Sequence, residues 1–425
     1  MKYFSLFILI MFLSSVAINA QDTIRIMTYN LLNYSYYPSY CNESINDIDE
    51  KNNYINTIID YTLPDIVGFV EVYNSEAVKY SLLGVMNSNG RDFYKPTSFN
   101  TPNPLSGIVY YNKNKFEEVA SIDVNVDGLR NLKIYSLKLK ETTPEIHVHI
   151  VLGHLATSQS GEQDRALQIA ALYDKLEQYG NNDNYIIMGD LNVYHEDEAM
   201  FDDILRHSNQ ELRFYDPVEM MDNEGAMVDL GSYENRFYHT QSTSAYDNPN
   251  HNECFATGGL DDRFDMILVD DDIISGEGKI LYIENSYTTT GQDGYHNNTY
   301  LTNGANNSAP PTVIEALQKN SDHLPVYADF IFGEPAGISS FSSNNLKVSC
   351  NSPATDNLDL SIKLSSPDEV EICIFNVLGN QLLKTSRLIT RRENLQIPIS
   401  TFPNGIYIVS VKTSSEIRTL RFVKE

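Results

Sequence analysis

The sequence predicts an α/β domain followed by a small all-β unit. Short apolar runs such as residues 185–188 have the composition of strands buried on both faces, and stretches with helical spacing lie between them. Residues 334–345 are rich in Gly, Ser and Pro and indicate a linker. Beyond them, seven short alternating runs favour a small β-sandwich over residues 346–425. The α/β domain is therefore predicted to span residues 21–333.

The first twenty residues are predicted to be a secretory signal peptide, residues 1–20. Lys2 precedes an apolar run that is too short to span a membrane, and cleavage is expected after Ala20. No other stretch reaches spanning length, so we expect an exported, soluble protein in which disulfides can form. Its cysteines are Cys41, Cys254, Cys350 and Cys373. They allow three pairings; pairing within each domain is the natural expectation, and free thiols remain an alternative.

The formal net charge of −27 is concentrated in the predicted α/β domain. Residues 334–425 hold ten Lys or Arg against nine Asp or Glu, and residues 1–20 hold only Lys2, so residues 21–333 carry −29. Such a surface repels polyanions at long range and is not typical of a tight duplex binder. Bound divalent cations would offset part of this charge.

Strand and helix patterns alternate along the α/β domain. The predicted strands include residues 23–30, 65–72, 107–111, 185–188 and 263–269, one beginning at 146, and a last one entered through 321–330. Helical spacing is found over residues 49–61 and in a segment that begins at 162. In layered sheets of this kind, chemistry collects on the loops beyond the strand ends. Polar side chains at those positions are therefore the candidate site residues.

The first two strands each carry one polar side chain near the end. Asn30 ends the first strand, and alone it is as readily a turn residue. Glu71 lies near the end of the second strand among apolar residues, where a carboxylate is costly to bury unless it is paired or binds a metal. We interpret Glu71 as a metal ligand, with an exposed rim position as the alternative.

The turn after residues 185–188 carries Asp190 and Asn192. Gly189 permits the turn, and side chains two residues apart in extended chain point the same way. One carboxylate beside one amide suits the binding of a metal-bound phosphate and a water, although the same pair is common in turns and helix caps. The neighbouring polar clusters favour the first interpretation.

Further polar positions follow the same pattern. His154 ends an apolar strand. Asp265 is embedded in an apolar strand, where it needs a partner such as an imidazole N–H. The adjacent pair Asp322 and His323 precedes the last strand, and taken alone it would be a surface turn.

Two basic features are interpreted differently. A cation such as Arg165 in the first turns of a helix opposes the helix dipole and so usually has another partner, and we predict that it binds substrate. A solvated sheet face is a more natural interpretation than a phosphate track for the basic cluster of Lys113, Lys115, Arg130, Lys133, Lys138 and Lys140.

Taken together, these motifs resemble the endonuclease/exonuclease/phosphatase superfamily, in that family's order and across nearly all of residues 23–332. The motifs are Thr28-Tyr-Asn30, Pro64-Asp-Ile-Val with Glu71, Gly153-His-Leu155, Gly189-Asp-Leu-Asn192, Arg263-Phe-Asp265 and Ser321-Asp-His-Leu-Pro325. The resemblance implies a four-layer α/β sandwich, in which two packed mixed β-sheets are flanked by helices. It also implies hydrolysis of phosphate esters with Mg²⁺ or Mn²⁺.

The resemblance implies a role for each matching residue. The positions on the metal side are Asn30, Glu71 and Asp322. The positions implied in catalysis are Asp190 and Asn192 for water and phosphate, Asp265 for orienting His323, and His154 as the second histidine of pancreatic-type deoxyribonucleases. Two departures stand out: Val70 replaces the usual Gln, and residues 103–106 hold no acid to support His154.

The tail resembles the C-terminal sorting domain of the type IX secretion system of Bacteroidetes. The likeness rests on residues 375–379, 395–399 and 402–411, and Asn404-Gly-Ile-Tyr407 is its most specific part. It implies that the type IX machinery is a partner, and that the protein crosses the outer membrane to be released or held at the cell surface. A binding β-sandwich is the alternative.

These observations predict a secreted, metal-dependent phosphoesterase, with nucleic acid as the leading substrate. The charge of −29 keeps a phosphatase or a small-molecule or lipid phosphodiesterase as the alternative enzyme. An inactive cell-surface binding protein is the alternative of a different class. The polar loops over residues 222–262 and 284–321 are expected to select the substrate.

Overall fold

The structure is a computed structural model, and the residues it describes are 22–99, 103–179, 184–218, 230–231, 235–244, 253–276, 278–333, 346–350, 354–364, 367–376, 379–390, 392–414 and 417–424. The predicted signal peptide and linker lie outside these residues. The chain divides into two compact units, Met1–Gly337 and Ile338–Glu425, while the predicted domain limits stay a prediction. Within the described part, no helix is long and apolar enough to cross a membrane.

Two mixed β-sheets form the centre of the first unit. The strands of the first sheet are β1 (Asp22–Tyr34), β2 (Ile66–Tyr73), β3 (Tyr94–Pro96), β4 (Leu105–Asn112), β11 (Ile280–Tyr282), β12 (Thr288–Thr289) and β13 (Val326–Phe332). Those of the second are β5 (Phe116–Val124), β6 (Leu132–Leu139), β7 (Ile146–His154), β8 (Tyr185–Asp190), β9 (Phe214–Tyr215) and β10 (Asp265–Asp270). The strand orders are β11-β13-β1-β2-β4-β3, with β12 paired to β13, and β5-β6-β7-β8-β10-β9.

Helices cover the outer face of each sheet. On the first sheet they are α1 (Ile48–Thr62), α2 (Glu76–Met86) and α6 (Pro311–Asn320), and on the second α3 (Glu162–Tyr179) and α4 (Ala199–Arg206). The short α5 (Asp271–Ser275) follows β10. One apolar cluster joins Ile58 of α1 to Phe69 of β2, and another joins Leu172 of α3 to Ile187 of β8.

A third apolar cluster fills the space between the two sheets. It includes Ile26 of β1 and Met188 of β8. Gly68 marks a close approach of the sheets, because a Cβ there would lie 2.6 Å from the Met188 side chain and 2.7 Å from Leu152. Helix, sheet, sheet and helix thus form four layers, which confirms the predicted four-layer α/β sandwich.

The second unit is a small all-β structure. Its described residues form seven strands: β14 (Leu346–Cys350), β15 (Asn357–Leu364), β16 (Asp368–Asn376), β17 (Gln381–Ile389), β18 (Arg392–Pro398), β19 (Gly405–Lys412) and β20 (Ile417–Lys424). They make two sheets with the orders β14-β15-β18 and β17-β16-β19-β20. Alternate residues such as Leu360, Ile372 and Val409 fill the core between them. The predicted β-sandwich is confirmed.

Candidate active site

A cavity of about 310 Å³ opens in the first unit, where several of the predicted site residues meet. The predicted residues in its lining are Glu71, His154, Asp190, Asn192, Asp322 and His323. Other lining residues come from loops: Leu32, Asn33, Tyr40, Thr157, Gln241, Glu253, Cys254, Phe255 and Ala256. The structure therefore gathers side chains that lie up to 291 residues apart in the sequence, from Leu32 to His323.

Strand register sets the relative positions of three predicted residues. In the parallel pair β7–β8, His154 is the partner of Asp190, and in the antiparallel pair β8–β10, Asp190 is the partner of Asp265. Gly189 has φ +137°, and a Cβ there would lie 1.9 Å from the carbonyl oxygen of Gly153. Only glycine fits this approach, so Gly189 within β8 allows the ends of β7 and β8 to lie side by side.

Asn30 holds two carboxylates. Its Nδ2 donates to Oε1 of Glu71 at 3.2 Å and to Oδ2 of Asp190 at 3.0 Å, while its Oδ1 accepts from the backbone N–H of Leu32. The backbone N–H of Asn33 donates to Oε2 of Glu71 at 2.9 Å. Asn30 thus turns nitrogen rather than oxygen toward Glu71, and its predicted metal contact stays a prediction.

His323 is paired with a buried carboxylate. Its Nδ1 lies 2.6 Å from Oδ2 of Asp265, and both side chains are buried. Burial alone would lower the pKa of His323, but the negative charges of Asp265 and Asp190 and the hydrogen bond to Asp265 raise that pKa well above its ordinary value. These contacts therefore favour the imidazolium form of His323.

Gln241 lies next to the outer nitrogen of the His323 ring. Nε2 of Gln241 is 2.9 Å from Nε2 of His323. A protonated His323 donates from Nε2, so in that state the amide of Gln241 has to present its Oε1 to the ring. On the inner side, Ser321 Oγ accepts from the backbone N–H of His323 and donates to the carbonyl oxygen of Asn30. These contacts fix the ring at the pocket.

The nearest charged partner of His154 is a cation, whereas that of His323 is an anion. Nη1 of Arg130 lies 2.9 Å from Nε2 of His154 and donates to the carbonyl oxygen of Leu155. Burial, then the positive charges of Arg130 and His323, lower the pKa of His154 well below its ordinary value. Because arginine can only donate, Nε2 is the acceptor, and the neutral ring carries its proton on Nδ1.

Asp190 lies between these two rings. Its Oδ2 is 3.5 Å from Nε2 of His154 and 3.8 Å from Nε2 of His323. Burial raises the pKa of Asp190 to about 7, although the charge of His323 opposes that rise. Asn192 has φ +49° and directs its Nδ2 toward the carbonyl oxygen of Leu155 at 3.4 Å. A carboxyl group with this pKa can exchange a proton near neutral pH.

The residues at the Glu71 side of the cavity suit a divalent cation. Asp322 accepts the Ala256 N–H through Oδ2 at 2.8 Å, but its Oδ1 is buried and has no hydrogen-bond partner in the described residues. Oδ1 of Asn33 is likewise buried without a hydrogen-bond partner in the described residues. Burial also raises the pKa of Asp322. A cation bound here would give these two unpaired oxygens a partner and would offset the buried negative charge of the carboxylates.

The side chains available to a cation would fill only part of its coordination shell. Among the described residues, no three His, Cys, Asp or Glu side chains converge as a metal-binding group. Mg²⁺ usually retains several waters and takes one or two protein carboxylates together with substrate phosphate oxygens. Glu71 and Asp322 match that pattern, and a closed structural cage does not.

A disulfide fastens one wall of the cavity. Cys41, after β1, is bonded to Cys254, before β10, across 213 residues of sequence. Leu32 and Phe255 pack against it in a small apolar cluster. In the second unit, Cys350 and Cys373 are free thiols. Of the pairings left open by the sequence, the one within the first unit is formed and the one within the second is not.

Arg165 is paired with a buried carboxylate. Its guanidinium is fully buried and bonds Glu198 twice, at 2.7 Å from Nε and 2.8 Å from Nη2. Nη1 donates to the carbonyl oxygens of Ala156 and Ser158. The partner anticipated from the helix dipole is therefore Glu198. Arg165 is not among the described residues that line the cavity, and its predicted contact with substrate stays a prediction.

Sequence patterns missed several site residues. Arg130 was assigned to a solvated face, yet it contacts His154. Gln241 and Asn33 lie in polar loops without periodicity, so no pattern distinguishes them from their neighbours. An arginine two residues before β6 could have been noticed, because β6 pairs with β7, the strand that ends in His154.

Comparison with known proteins confirms both resemblances. Residues 27–272, more than half of the chain, match the family model described as Endonuclease/Exonuclease/phosphatase family. Residues 352–425 match the model described as Secretion system C-terminal sorting domain, which places the protein at the cell surface or in the medium after type IX export. No curated protein sequence matches the chain significantly.

Several solved structures are similar to the chain. The human Nocturnin catalytic domain with bound sulfate anion shares 16% identity at a TM-score of 0.46, covering 73% of this chain and 97% of that one. Truncated Caenorhabditis elegans TDP2 shares 14% at 0.45, covering 73% and 98%. An endonuclease/exonuclease/phosphatase family protein from Bacteroides thetaiotaomicron shares 14% at 0.45, covering 74% and 99%.

Proposed function

Because this chain belongs to the endonuclease/exonuclease/phosphatase family, we propose that its first unit is a divalent-metal-dependent hydrolase of phosphodiester bonds in nucleic acid. The family supports phosphate-ester hydrolysis as the reaction class. The observation that carries the proposal is the arrangement around Asp190, whose Oδ2 lies within 4 Å of two histidine rings of opposite protonation tendency. A binding protein has no need of such an arrangement.

Glu71 and Asp322 are the proposed ligands of Mg²⁺ or Mn²⁺, with Asn33 as a further oxygen donor. The ion would polarise the phosphoryl group and stabilise charge on the leaving oxygen. Asn30 holds the Glu71 carboxylate, and the Ala256 N–H holds Asp322 through one oxygen and leaves the other available. These contacts orient the proposed ligands before any ion arrives.

His323 is proposed to bind the phosphate as an imidazolium. Asp265 fixes Nδ1, so Nε2–H is directed into the cavity and can donate to a phosphoryl oxygen on which negative charge develops. The raised pKa of His323 favours this role over that of a base toward water, because a base has to begin without the proton.

Asp190 is the proposed base. It would take a proton from the attacking water, whose oxygen bonds to phosphorus while the ester P–O bond breaks. The leaving oxygen departs as an alkoxide and takes a proton from solvent. Burial brings its pKa to about 7, close to the pH at which a general base is most effective. Asn192, two residues on and also in the cavity lining, is proposed to donate to a phosphoryl oxygen.

A phosphatase or a small-molecule or lipid phosphodiesterase is the second candidate, and one observation favours it. Among the described residues that line the cavity there is no Lys or Arg, and residues 21–333 carry −29. Affinity for long nucleic acid comes chiefly from contacts between basic side chains and many phosphates. The cavity therefore suits a substrate that is bound through few phosphates.

The test compares substrates under identical conditions. Purified protein is incubated with plasmid DNA, RNA or bis-p-nitrophenyl phosphate, with and without Mg²⁺ or Mn²⁺, beside the matched variant Asp190→Asn. Metal-dependent cleavage of DNA or RNA that the variant loses supports the proposal. Turnover of the small ester alone transfers support to the second candidate. No turnover of any substrate supports the inactive binding protein.

A further inference from the structure

One wall of the cavity carries an exposed aromatic side chain held by the disulfide. Tyr40 and Phe255 are the direct neighbours of Cys41 and Cys254, and all but Cys41 belong to the cavity lining. Phe255 is buried and packs with the disulfide, whereas the Tyr40 side chain is 57% exposed. The cross-link thus holds an exposed phenol ring at the cavity on a segment that lies outside any helix or strand.

The chemistry of the lining indicates what can lie against that ring. Four carboxylates belong to it, namely Glu71, Asp190, Glu253 and Asp322, and no lysine or arginine is found among its described members. A second phosphate beside the scissile one would meet negative charge without a counter-ion. A neutral planar group meets no such penalty and gains dispersion from the Tyr40 face.

We propose that Tyr40 stacks against the nucleobase adjacent to the scissile phosphate, so that the preferred substrate is a short or unpaired strand rather than a duplex. This inference rests on the proposed function. Bases in a duplex have both faces covered by their neighbours, whereas the end of a strand or an unpaired stretch offers a free face to an aromatic ring. Stacking needs no basic track, which agrees with the charge of −29 over residues 21–333.

Tyr36, in the same loop as Tyr40, has its ring covered by another tyrosine. Tyr36 stacks on Tyr73, with ring centroids 5.9 Å apart and planes at 19°. Among the described residues, Tyr40 makes no such ring contact, and it is the tyrosine of this loop that lines the cavity. Its face is therefore available to a ligand.

The test uses three dinucleotides that share one scissile bond. They are thymidylyl-thymidine and two analogues in which tetrahydrofuran replaces one nucleoside, on the 5′ or the 3′ side. Initial rates with Mg²⁺ or Mn²⁺ give kcat/KM for each. We expect the wild type to prefer the complete dinucleotide over one analogue by about tenfold, since stacking on an aromatic residue has an effect of this order.

Variants assign that preference to Tyr40. In Tyr40→Leu, kcat/KM for the complete dinucleotide falls about tenfold to the value of the disfavoured analogue, whose own kcat/KM stays unchanged. Tyr40→Phe keeps the preference because the ring remains. Tyr80→Leu serves as the matched control, since Tyr80 is 59% exposed and lies outside the cavity lining.

The outcomes separate the two proposals. An equal loss on all three substrates in Tyr40→Leu indicates a structural role and overturns the stacking inference, as does no loss on any. In both cases the wild type still hydrolyses the dinucleotides, and the proposed function stands. If the wild type cleaves plasmid DNA or RNA but none of the dinucleotides, the stacking inference is overturned and the proposed function stands. If it cleaves no nucleic acid in either metal, both are overturned.

Discussion

Two buried histidines approach the same carboxylate oxygen, yet they have opposite charge preferences. His154 and His323 are both almost fully buried, and both place Nε2 within 4 Å of Oδ2 of Asp190. The pKa of His154 is lowered well below its ordinary value and that of His323 is raised well above it. Burial is common to both, so it cannot be the cause of the difference.

The difference comes from one partner of each ring. Arg130 contacts Nε2 of His154, and Asp265 contacts Nδ1 of His323. A cation beside an imidazole favours the neutral ring, and an anion favours the imidazolium. The chain therefore has one histidine that can accept a hydrogen bond and one that can donate to a phosphate.

His323→Ala is expected to cause the largest loss. If the imidazolium stabilises the phosphoryl group, removing it lowers kcat by ~10²–10⁴-fold. Steady-state kinetics on bis-p-nitrophenyl phosphate measures this, and a thermal melt confirms that the variant is folded. Wild-type turnover in a folded His323→Ala protein would remove this residue from the reaction.

Asp265→Asn tests the origin of the charge on His323. The amide keeps the size of the side chain but removes its negative charge, so the pKa of His323 falls, and kcat is expected to drop about tenfold to a hundredfold. Titration of the histidine resonances by NMR follows the ring directly. An unshifted His323 titration would mean that Asp190 alone holds the proton there.

The pH profile tests Asp190 between the two rings. A carboxyl group whose pKa is raised to about 7 stays protonated, and so inactive as a base, until the pH rises through that value. Activity should therefore increase about tenfold per pH unit on the acid side, with a midpoint at or below about 7 because a bound cation favours the carboxylate. Asp190→Asn should abolish this limb; a surviving limb would belong to another group.

Arg130→Gln is expected to have the smallest effect. Without the guanidinium, the pKa of His154 rises, because the opposing positive charge is gone. We expect a several-fold change in kcat and an upward shift in the pKa of His154 alone, which NMR titration of the histidine resonances measures. The control is Lys113→Gln, a cation of the same predicted cluster outside the cavity lining. If both variants behave alike, the Arg130 contact has no particular influence.

Strand patterns predicted more of this site than loop patterns could. Glu71, His154 and Asp190 follow apolar runs, and alternation along a strand fixes which end and which face a residue occupies. Arg130 and Gln241 reach the rings from segments whose conformation depends on distant contacts, so their sequence carries no comparable signal. The missing acid near His154 was visible in the sequence, but that a cation stands beside the ring was not.

Arg165 shows a similar limit of sequence patterns. The helix dipole correctly indicated that a cation in the first turn of α3 needs a partner. Which partner it finds depends on how the loop after β8 packs, and that loop brings Glu198 onto the guanidinium from 33 residues away. A local rule predicted the need, and tertiary structure determined how it was met.

The Cys41–Cys254 bond also makes the cavity wall depend on the redox environment of the compartment. The cytoplasm keeps thiols reduced, so this bond forms only after the chain has been exported. Until then, no covalent cross-link joins the segment bearing Tyr40 to the segment whose Ala256 N–H orients Asp322. On the proposed function, the nucleic acids of the producing cell's cytoplasm meet only protein in which this wall of the cavity is not yet cross-linked.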